Sequence, residues 1–561
     1  MGKTSKKIDL IYALIMNIVF LVIYVGFFEL IQESNDDLAM SFLAEGVYGE
    51  YTGYMVFENV LWGKLIVFLN QLIPAVKWYN VLHYVVIFLA FVELTYVFIR
   101  KQGRKMGMIV SSIMLVFCGY ESYVMFQFSR VTAIGTIAGI VMLYYALEAA
   151  EDKMENHWCL GAGAFLTIWS SMLRFQMFAL CVALTLVCLA IYKMWTWIKV
   201  EKRQDWLKQL GIYAGVYALV GLISIGFYAV DRAHYYSDDE WTEYLEYNEL
   251  RANLWDTGFP DYYENMMLYE ELGIGEYDYS YYKSWEMDEE VLTKETLQTI
   301  VNAKEKVEFD LGYFFEYYPR DFLNLTLFIV FIVLSIVAWC INKKNLYFVL
   351  FEGGAVFLVE LVFFHMRRFG WERVDNGMWM AAIIILLYGM SDDLKKIVVN
   401  SWKWMFAAAS ICMLLNAMDL RGNDHFQKGI IGSTKAFYQQ VMQDDEHLYI
   451  ILAAAPSPYY AYDFWEPCGY GDLTNTYNAF GWEYNLGLKK QALVDFGIEN
   501  IYRDSINNDK VYFVAGTQVE TLQRYIQENY DETAFLSFEK EYMGVAIWSV
   551  RTLDTVVDTL Q

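Results

Sequence analysis

Five residues directly after the first long apolar run, Glu33-Ser34-Asn35-Asp36-Asp37, gather the groups best suited to acid–base chemistry. Adjacent carboxylates repel each other, and near low-dielectric lipid one of them is driven toward its protonated form. A carboxylate so placed can act as a general base on a hydroxyl or an amide. The competing reading is a capped turn, because Ser, Asn and Asp are the residues that begin helices. A second set of candidates is cationic: Arg130, Arg174, Arg367, Arg368 and Arg373, all at ends of apolar runs, with His365 beside the last three. Arg174 has almost no loop around it, in Ser170-Ser171-Met172-Leu173-Arg174-Phe175. An ionisable group at that depth of an apolar segment is a functional candidate by default. Each arginine also has a plainer role open to it, as a snorkelling side chain or as the partner of Glu372 or Asp375.

The elements that must position these groups are membrane helices. The chain has 561 residues, 57% hydrophobic and 18% aromatic, with a net charge of −25. Charge is segregated: long uncharged stretches alternate with short Lys/Arg clusters, and two acidic segments stand apart. A soluble protein spreads charge over every surface element, so this pattern argues for lipid. Spans are expected near 8–31, 79–99, 106–124, 131–149, 158–174, 175–192, 211–230, 322–341, 345–365, 376–390 and 404–418, each long enough, or nearly so, to cross about 30 Å of hydrocarbon. The first follows Lys3, Lys6 and Lys7 but is too long for a signal segment, so it reads as a retained anchor. Basic clusters at Lys3–Lys7, Arg100–Lys105, Lys193–Lys208, Lys343–Lys344 and Lys395–Lys403 mark the cytoplasmic loops. The N-terminus is then inside, and residues 32–78, 231–321 and 419–561 face outward.

The middle outer region carries 24 acidic and 7 basic residues and is crowded with Tyr and Trp, as in Tyr235-Tyr236, Tyr262-Tyr263, Tyr281-Tyr282, Trp241, Trp255 and Trp285. Such rings form either the aromatic core of a small helical domain or a surface that stacks on sugars. Residues 419–561 change period: strands are expected at His447–Ala454, Val511–Ala515, Ala534–Lys540 and Gly544–Val550, with a helix at Thr517–Asn529, which describes a small α/β domain. In the first outer region, apolar residues at 57, 60, 61, 65, 68, 69 and 72 have helical spacing, and the same stretch carries Glu58, Lys64, Asn70 and Gln71. That is an amphipathic helix suited to the membrane interface. Glu93, Glu352 and Glu360 fall inside spans, where carboxylates pair, protonate or mark a proton path.

An acidic turn followed by an interfacial helix, both in the first outer loop, resembles the GT-C superfamily of polytopic membrane glycosyltransferases, and in particular its uncharacterised bacterial members. The matching segments are Asn35-Asp36-Asp37, Asn70-Gln71-Leu72-Ile73-Pro74 and Trp78-Tyr79-Asn80, and the resemblance covers mainly residues 8–100. It implies a GT-C-like membrane domain over 1–418, with the α/β domain read from the pattern over 419–561 standing beside it as an extracytoplasmic unit, and, together with the absence of disulfide usage, a bacterial plasma-membrane location. It also implies inverting transfer of a sugar from a polyprenyl-phosphate donor to a cell-surface glycan or cell-wall polymer, with Asp36 or Asp37 as base. Charge accumulating on the departing phosphate needs cations, for which Arg174, Arg367, Arg368, Arg130 and Arg373 are the candidates, and Glu58, Lys64 and His365 are further polar groups within reach. No cofactor is expected, and a divalent metal stays open. The six histidines are scattered without an HExxH, and the seven cysteines form no CxxC; no nucleic-acid partner is expected of so acidic a chain. Two rival functions remain, a transporter or flippase for a lipid-linked saccharide and a non-catalytic envelope scaffold. The first predicts internal repeats, and none is found.

Overall fold

The computed structural model describes residues 3–148, 153–198, 206–304, 311–312, 314–316, 326–368, 370–390 and 432–553. The protein is a mainly helical, multi-pass membrane protein with a small sheet in its C-terminal region. Its first nine helices are α1 (Lys3–Phe27), α2 (Asn35–Glu45), α3 (Val60–Leu72), α4 (Trp78–Gln102), α5 (Arg104–Tyr123), α6 (Phe128–Glu148), α7 (Lys153–Leu173), α8 (Phe175–Ile198) and α9 (Trp206–Tyr235). A segment of shorter helices follows, with α10 (Asp239–Thr257), α11 (Met266–Glu271), α12 (Glu276–Lys283) and α13 (Lys294–Asn302). The chain then returns through α14 (Thr326–Ile341), α15 (Asn345–His365) and α16 (Glu372–Gly389).

Seven of the described helices, α1, α4, α5, α6, α8, α9 and α15, are long and apolar enough to cross a membrane. α14 is apolar but shorter. The span expected at 404–418 lies outside the described residues. α6 is the axis of the bundle, buried along nearly its whole length, while α1 and α9 turn most of their apolar side chains outward. α6 and α7 approach through small residues: a Cβ at Gly163 would lie 2.7 Å from the Gly139 carbonyl oxygen. Such close backbone contact is how helices gain packing energy where lipid removes the hydrophobic drive.

The stretch 32–78, expected to face outward, is not an open loop. Two short strands, β1 (Ile31–Gln32) and β2 (Met125–Phe126), pair in parallel and fasten the end of α1 to the α5–α6 turn. From there the chain enters α2, which is buried from Asp37 to Glu45. α3 is amphipathic, as its spacing predicts. Val60, Trp62, Gly63, Ile66 and Asn70 face protein, and Leu65, Phe68 and Leu72 form an exposed apolar stripe. Asn59 caps it by accepting from the Leu61 N–H at 3.0 Å. The motif residues Asn70 and Asn80 are structural: Asn70 donates to the Ala44 carbonyl at 2.8 Å and Asn80 to the Phe464 carbonyl at 2.6 Å.

The C-terminal region holds a five-stranded sheet of β3 (Leu448–Ile451), β4 (Thr476–Asn478), β5 (Val511–Val514), β6 (Ala534–Tyr542) and β7 (Val545–Thr552), in the order β4-β3-β5-β7-β6. The first three strands are parallel, and β7 joins both β5 and β6 antiparallel. Helices α17 (Gly487–Phe496) and α18 (Val519–Asn529) complete it. This region and the acidic segment between α9 and α14 share one hydrophobic core, in which Tyr247, Leu254, Tyr281 and Tyr282 join Leu448, Phe513 and Tyr525. Tyr281 stacks on Tyr525 with ring centroids 4.3 Å apart, and Asp288 accepts from the Tyr525 hydroxyl at 2.7 Å. The tyrosine pairs therefore divide: Tyr235, Tyr262, Tyr281 and Tyr282 are core residues, and Tyr236, Tyr263 and Trp285 are exposed. The strap 456–487 closes over α2, with Gly471 and Leu473 donating to the Gly46 and Val47 carbonyls at 2.9 and 3.0 Å.

Candidate functional site

Asp36 and Asp37 both lie in the first turn of α2, after Ser34 at the N-cap position. The positive end of a helix dipole favours carboxylates there. Helix capping and chemistry were alternatives in the sequence; here the same turn does the capping geometry and presents the acidic pair. The two side chains then part company. Asp37 is completely buried, and one of its oxygens, Oδ1, accepts from the Tyr79 hydroxyl and the Phe128 N–H, each at 3.0 Å. Its other oxygen accepts from Ser34 Oγ at 3.2 Å. Burial, with help from Asp36 and Glu58 and against His83 and the Phe128 N–H, pushes its carboxyl up to about 8. Asp36 is half-buried and accepts from the indole N–H of Trp482 at 3.0 Å.

Behind Asp37 runs a buried polar chain. The Tyr79 hydroxyl lies 3.0 Å from both Asp37 Oδ1 and Glu58 Oε1, yet it has one proton to give. His83 places Nε2 2.7 Å from Glu58 Oε1 and Nδ1 2.7 Å from the Tyr79 carbonyl oxygen. Both nitrogens face acceptors, so the ring satisfies both as an imidazolium, or donates to the carbonyl while a protonated Glu58 donates to Nε2. Either way the cluster holds a proton beyond those of neutral histidine and two carboxylates. Glu58 is thus linked to Asp37 through the Tyr79 hydroxyl. A small cavity of about 50 Å³ opens beside it, with Phe57, Ser171, Tyr228 and Arg232 in its wall.

Arg174 occupies the break between α7 and α8 and is half-buried. Its guanidinium carbon lies 4.9 Å from the Phe128 ring centroid and 5.3 Å from that of Phe57. Phe57 in turn meets Trp482, ring centroids 5.2 Å apart. The side chain that holds Asp36 and the rings that hold Arg174 are thus one aromatic cluster. After its burial, the charges acting on Arg174 are those of Asp36, Arg373, Asp37 and Asp256, and Phe128 joins it to the acidic pair, with its N–H on Asp37 Oδ1 and its ring beside Arg174. Arg373 is half-buried, its guanidinium 4.6 Å from the Trp371 ring centroid.

The other candidates are placed differently. Arg367 and Arg368 are exposed just beyond α15, where they act on Lys304, which also feels Asp256. Arg130 is fully buried and encased by carboxylates: its Nε lies 2.7 Å from Glu33, a second nitrogen pairs with Glu121, and Glu372 is 3.9 Å away. Its charge is thus met by protein carboxylates, an arrangement that favours a structural role over the phosphate role expected of it. Lys64 lies on the exposed face of α3 and His365 is exposed at the end of α15, and neither is brought to the pair. Among the described residues, no group of three or more His, Cys, Asp or Glu is placed to hold a metal ion.

Sequence reasoning missed three participants. Trp482 comes from a strap more than 440 positions away from Asp36, and no local pattern announces it. His83 sits one turn after Tyr79 inside an apolar run, which is the signal that could have found it. Arg251 of α10 is buried, donates to Asn248 Oδ1 at 2.8 Å, and is acted on by Asp256 and Asp36.

No protein-family model and no curated relative matches the chain. Among solved structures it is similar to ArnT from Cupriavidus metallidurans in the apo state, with a TM-score of 0.43 and 9% identity over 95% of this chain and 97% of that one. ArnT bound to undecaprenyl phosphate gives a TM-score of 0.42 at 9% identity, covering 98% of each chain. The oligosaccharyltransferase AglB from Archaeoglobus fulgidus, in complex with an inhibitory peptide and a dolichol-phosphate, gives 0.41 at 8% identity over 98% of this chain and 75% of that one.

Proposed function

We propose that the protein is a membrane glycosyltransferase that moves a sugar from a polyprenyl-phosphate donor to a glycan or polymer acceptor on the outer face of a bacterial plasma membrane. The observation that carries this reading is that one aromatic cluster holds both a half-buried Asp36, through Trp482, and Arg174, through Phe57 and Phe128.

In the reaction, Asp36 takes the proton of the acceptor hydroxyl as that oxygen attacks the anomeric carbon. The bond between that carbon and the phosphate oxygen breaks, and polyprenyl phosphate leaves with the electron pair. Arg174 and Arg373, with Arg367 and Arg368 just beyond α15, face the negative charge that gathers on the phosphate. Asp37 is held largely protonated near neutrality by its burial, so it supports Asp36 without competing as a second anion. Tyr79, Glu58 and His83 fix Asp37 in turn. The reaction as written uses no metal and no cofactor.

Binding of the carrier tests this reading before the sugar is known. Full-length protein in nanodiscs is expected to bind polyprenyl phosphate, and Arg174→Ala to weaken that binding by at least about tenfold at unchanged melting temperature. An equal affinity in wild type and variant, or no binding at all, would overturn it.

A further inference from the structure

Two of the described arginines, Arg130 and Arg251, are buried, and their surroundings are opposite. Arg130 is surrounded by Glu33, Glu121 and Glu372. Arg251, 6% exposed, makes one side-chain hydrogen bond among the described residues, from Nε to Asn248 Oδ1 at 2.8 Å. Its Nη1 and Nη2 have no hydrogen-bond or ion-pair partner among those residues, and neither is sealed from solvent. A buried guanidinium is ordinarily paired, because an unmatched charge away from water is strongly unfavourable.

Asn248, also buried, adds a second free donor. Its Oδ1 accepts from Arg251, which fixes the orientation of the amide and aims Nδ2 elsewhere. That Nδ2 likewise has no partner among the described residues and is not sealed from solvent. Tyr244, Asn248 and Arg251 recur at i, i+4 and i+7, so they share one buried face of α10. Arg251 Nη1 and Nη2 and Asn248 Nδ2 are donors only, the set that suits an oxyanion.

This face of α10 adjoins the candidate base. The Tyr244 hydroxyl donates to the Trp482 carbonyl at 2.6 Å, and the Trp482 indole donates to Asp36 at 3.0 Å. One turn earlier, Trp241 stacks on Tyr54 with ring centroids 4.8 Å apart, which fixes the start of the helix. Burial pulls Arg251 below the ordinary arginine range, and Tyr244, Asp256, Tyr247 and Asp36 offset part of that. Asp36 is thus within electrostatic reach of Arg251 without being paired to it. Arg174 meets the site differently, from the α7–α8 break through the rings of Phe57 and Phe128. With Arg174 facing the carrier phosphate, Arg251 on the Trp482 side is left for a different anion.

We propose that Asn248 and Arg251 bind an oxyanion carried by the saccharide, so that the substrate is an acidic sugar. Its place in transfer rests on the transferase reading; the binding does not. The shared chemistry is a sugar-borne oxyanion, either a uronate carboxylate or a phosphate ester. Residues 231–321 carry 24 acidic and 7 basic residues, so the segment repels a polyanion and suits a single anion at its one buried, unpaired arginine.

The test is ligand-detected NMR titration of full-length protein in nanodiscs with methyl glucuronide, its methyl ester, glucose 6-phosphate and glucose. The glucuronide is expected to bind at least about tenfold more tightly than its ester, or the sugar phosphate than glucose. The first result identifies a carboxylate and the second a phosphate ester. Arg251→Gln is expected to close the gap without lowering the melting temperature. Asn248→Asp, which supplies Arg251 with a carboxylate from the protein, should also close it and raise the melting temperature, whereas a merely structural arginine would leave the gap in place. No gap in either pair, or a gap that survives both variants, would overturn the proposal. So would a preference for farnesyl diphosphate over farnesyl phosphate that Arg251→Gln removes while both sugar pairs bind equally, since the anion then belongs to the carrier. Farnesyl phosphate binding to wild type reports the donor side independently: its absence counts against the transferase reading and leaves the sugar gap standing.

Discussion

Replacing Asp37 by Asn is expected to stabilise the protein at alkaline pH and to flatten the dependence of its stability on pH. In the folded protein, burial first and the charges of Asp36 and Glu58 after it push this carboxyl from 3.8 up to about 8, in spite of His83 and the Phe128 N–H. In the unfolded chain the same group titrates near its ordinary value of about 4. From about pH 4 to about pH 8 the folded state keeps a proton that the unfolded state has lost, so this group's contribution to stability falls as pH rises through that window and stays low above it. At about 1.36 kcal/mol per pH unit, the displacement is worth about 5 kcal/mol. Asparagine fits the site as the protonated acid does. Its oxygen can accept from Tyr79 and Phe128 where Asp37 Oδ1 does, and its amide can donate to Ser34. The assay is thermal unfolding in detergent by tryptophan fluorescence, at one scan rate, from about pH 5 to about pH 9. Wild type should lose melting temperature relative to Asp37→Asn as pH rises, with the largest gap, several degrees, at the alkaline end. Parallel profiles, or a variant less stable than wild type at pH 9, would refute the reasoning.

Arg174→Lys should cut transfer by at least about tenfold and weaken donor binding. A point charge cannot spread over the Phe57 and Phe128 faces or hold a phosphate through two parallel hydrogen bonds; steady-state kinetics with the lipid-linked donor check this. Arg130→Met should destabilise the fold by about 3–5 kcal/mol, because Glu33 and Glu121 keep their burial and lose their cation. Melting temperature measures the effect, and adding Glu121→Gln should recover part of it. Treatment with EDTA should leave transfer unchanged, and restoration by added Mg²⁺ or Mn²⁺ after a loss would call for a metal that the mechanism above does not use.

Much of the architecture was legible because lipid makes simple demands on a sequence. Uncharged runs of about 20 residues gave the helices, and alternation bounded by turn residues gave strands β3, β5, β6 and β7 close to their observed positions. The short strand β4 escaped because Thr476–Asn478 has neither the length nor the pattern to stand out. The exposed stripe of α3 was visible in its spacing; the depth at which α2 is buried was not, since its cover arrives from residues 456–487. The acidic pair could be singled out, but not ranked. What separates Asp36 from Asp37 is the long-range placement of Tyr79, Phe128 and Trp482 around two adjacent side chains. Arg130 shows the same limit from the other side, as its carboxylate partners Glu33, Glu121 and Glu372 come from three separate stretches of the chain that no local pattern joins.

The most direct measurement compares turnover of wild type, Asp36→Asn and Asp37→Asn, using whichever sugar in a panel of polyprenyl-phosphate hexoses, pentoses and amino sugars the wild-type protein consumes. Loss of the base should lower the rate of Asp36→Asn by at least about a hundredfold, while Asp37→Asn, which imitates a group already protonated, should stay within about tenfold of wild type. An Asp36→Asn protein that turns over the donor as wild type does, or a wild type that consumes no member of the panel, would contradict the assignment of Asp36 as the base of a glycosyl transfer.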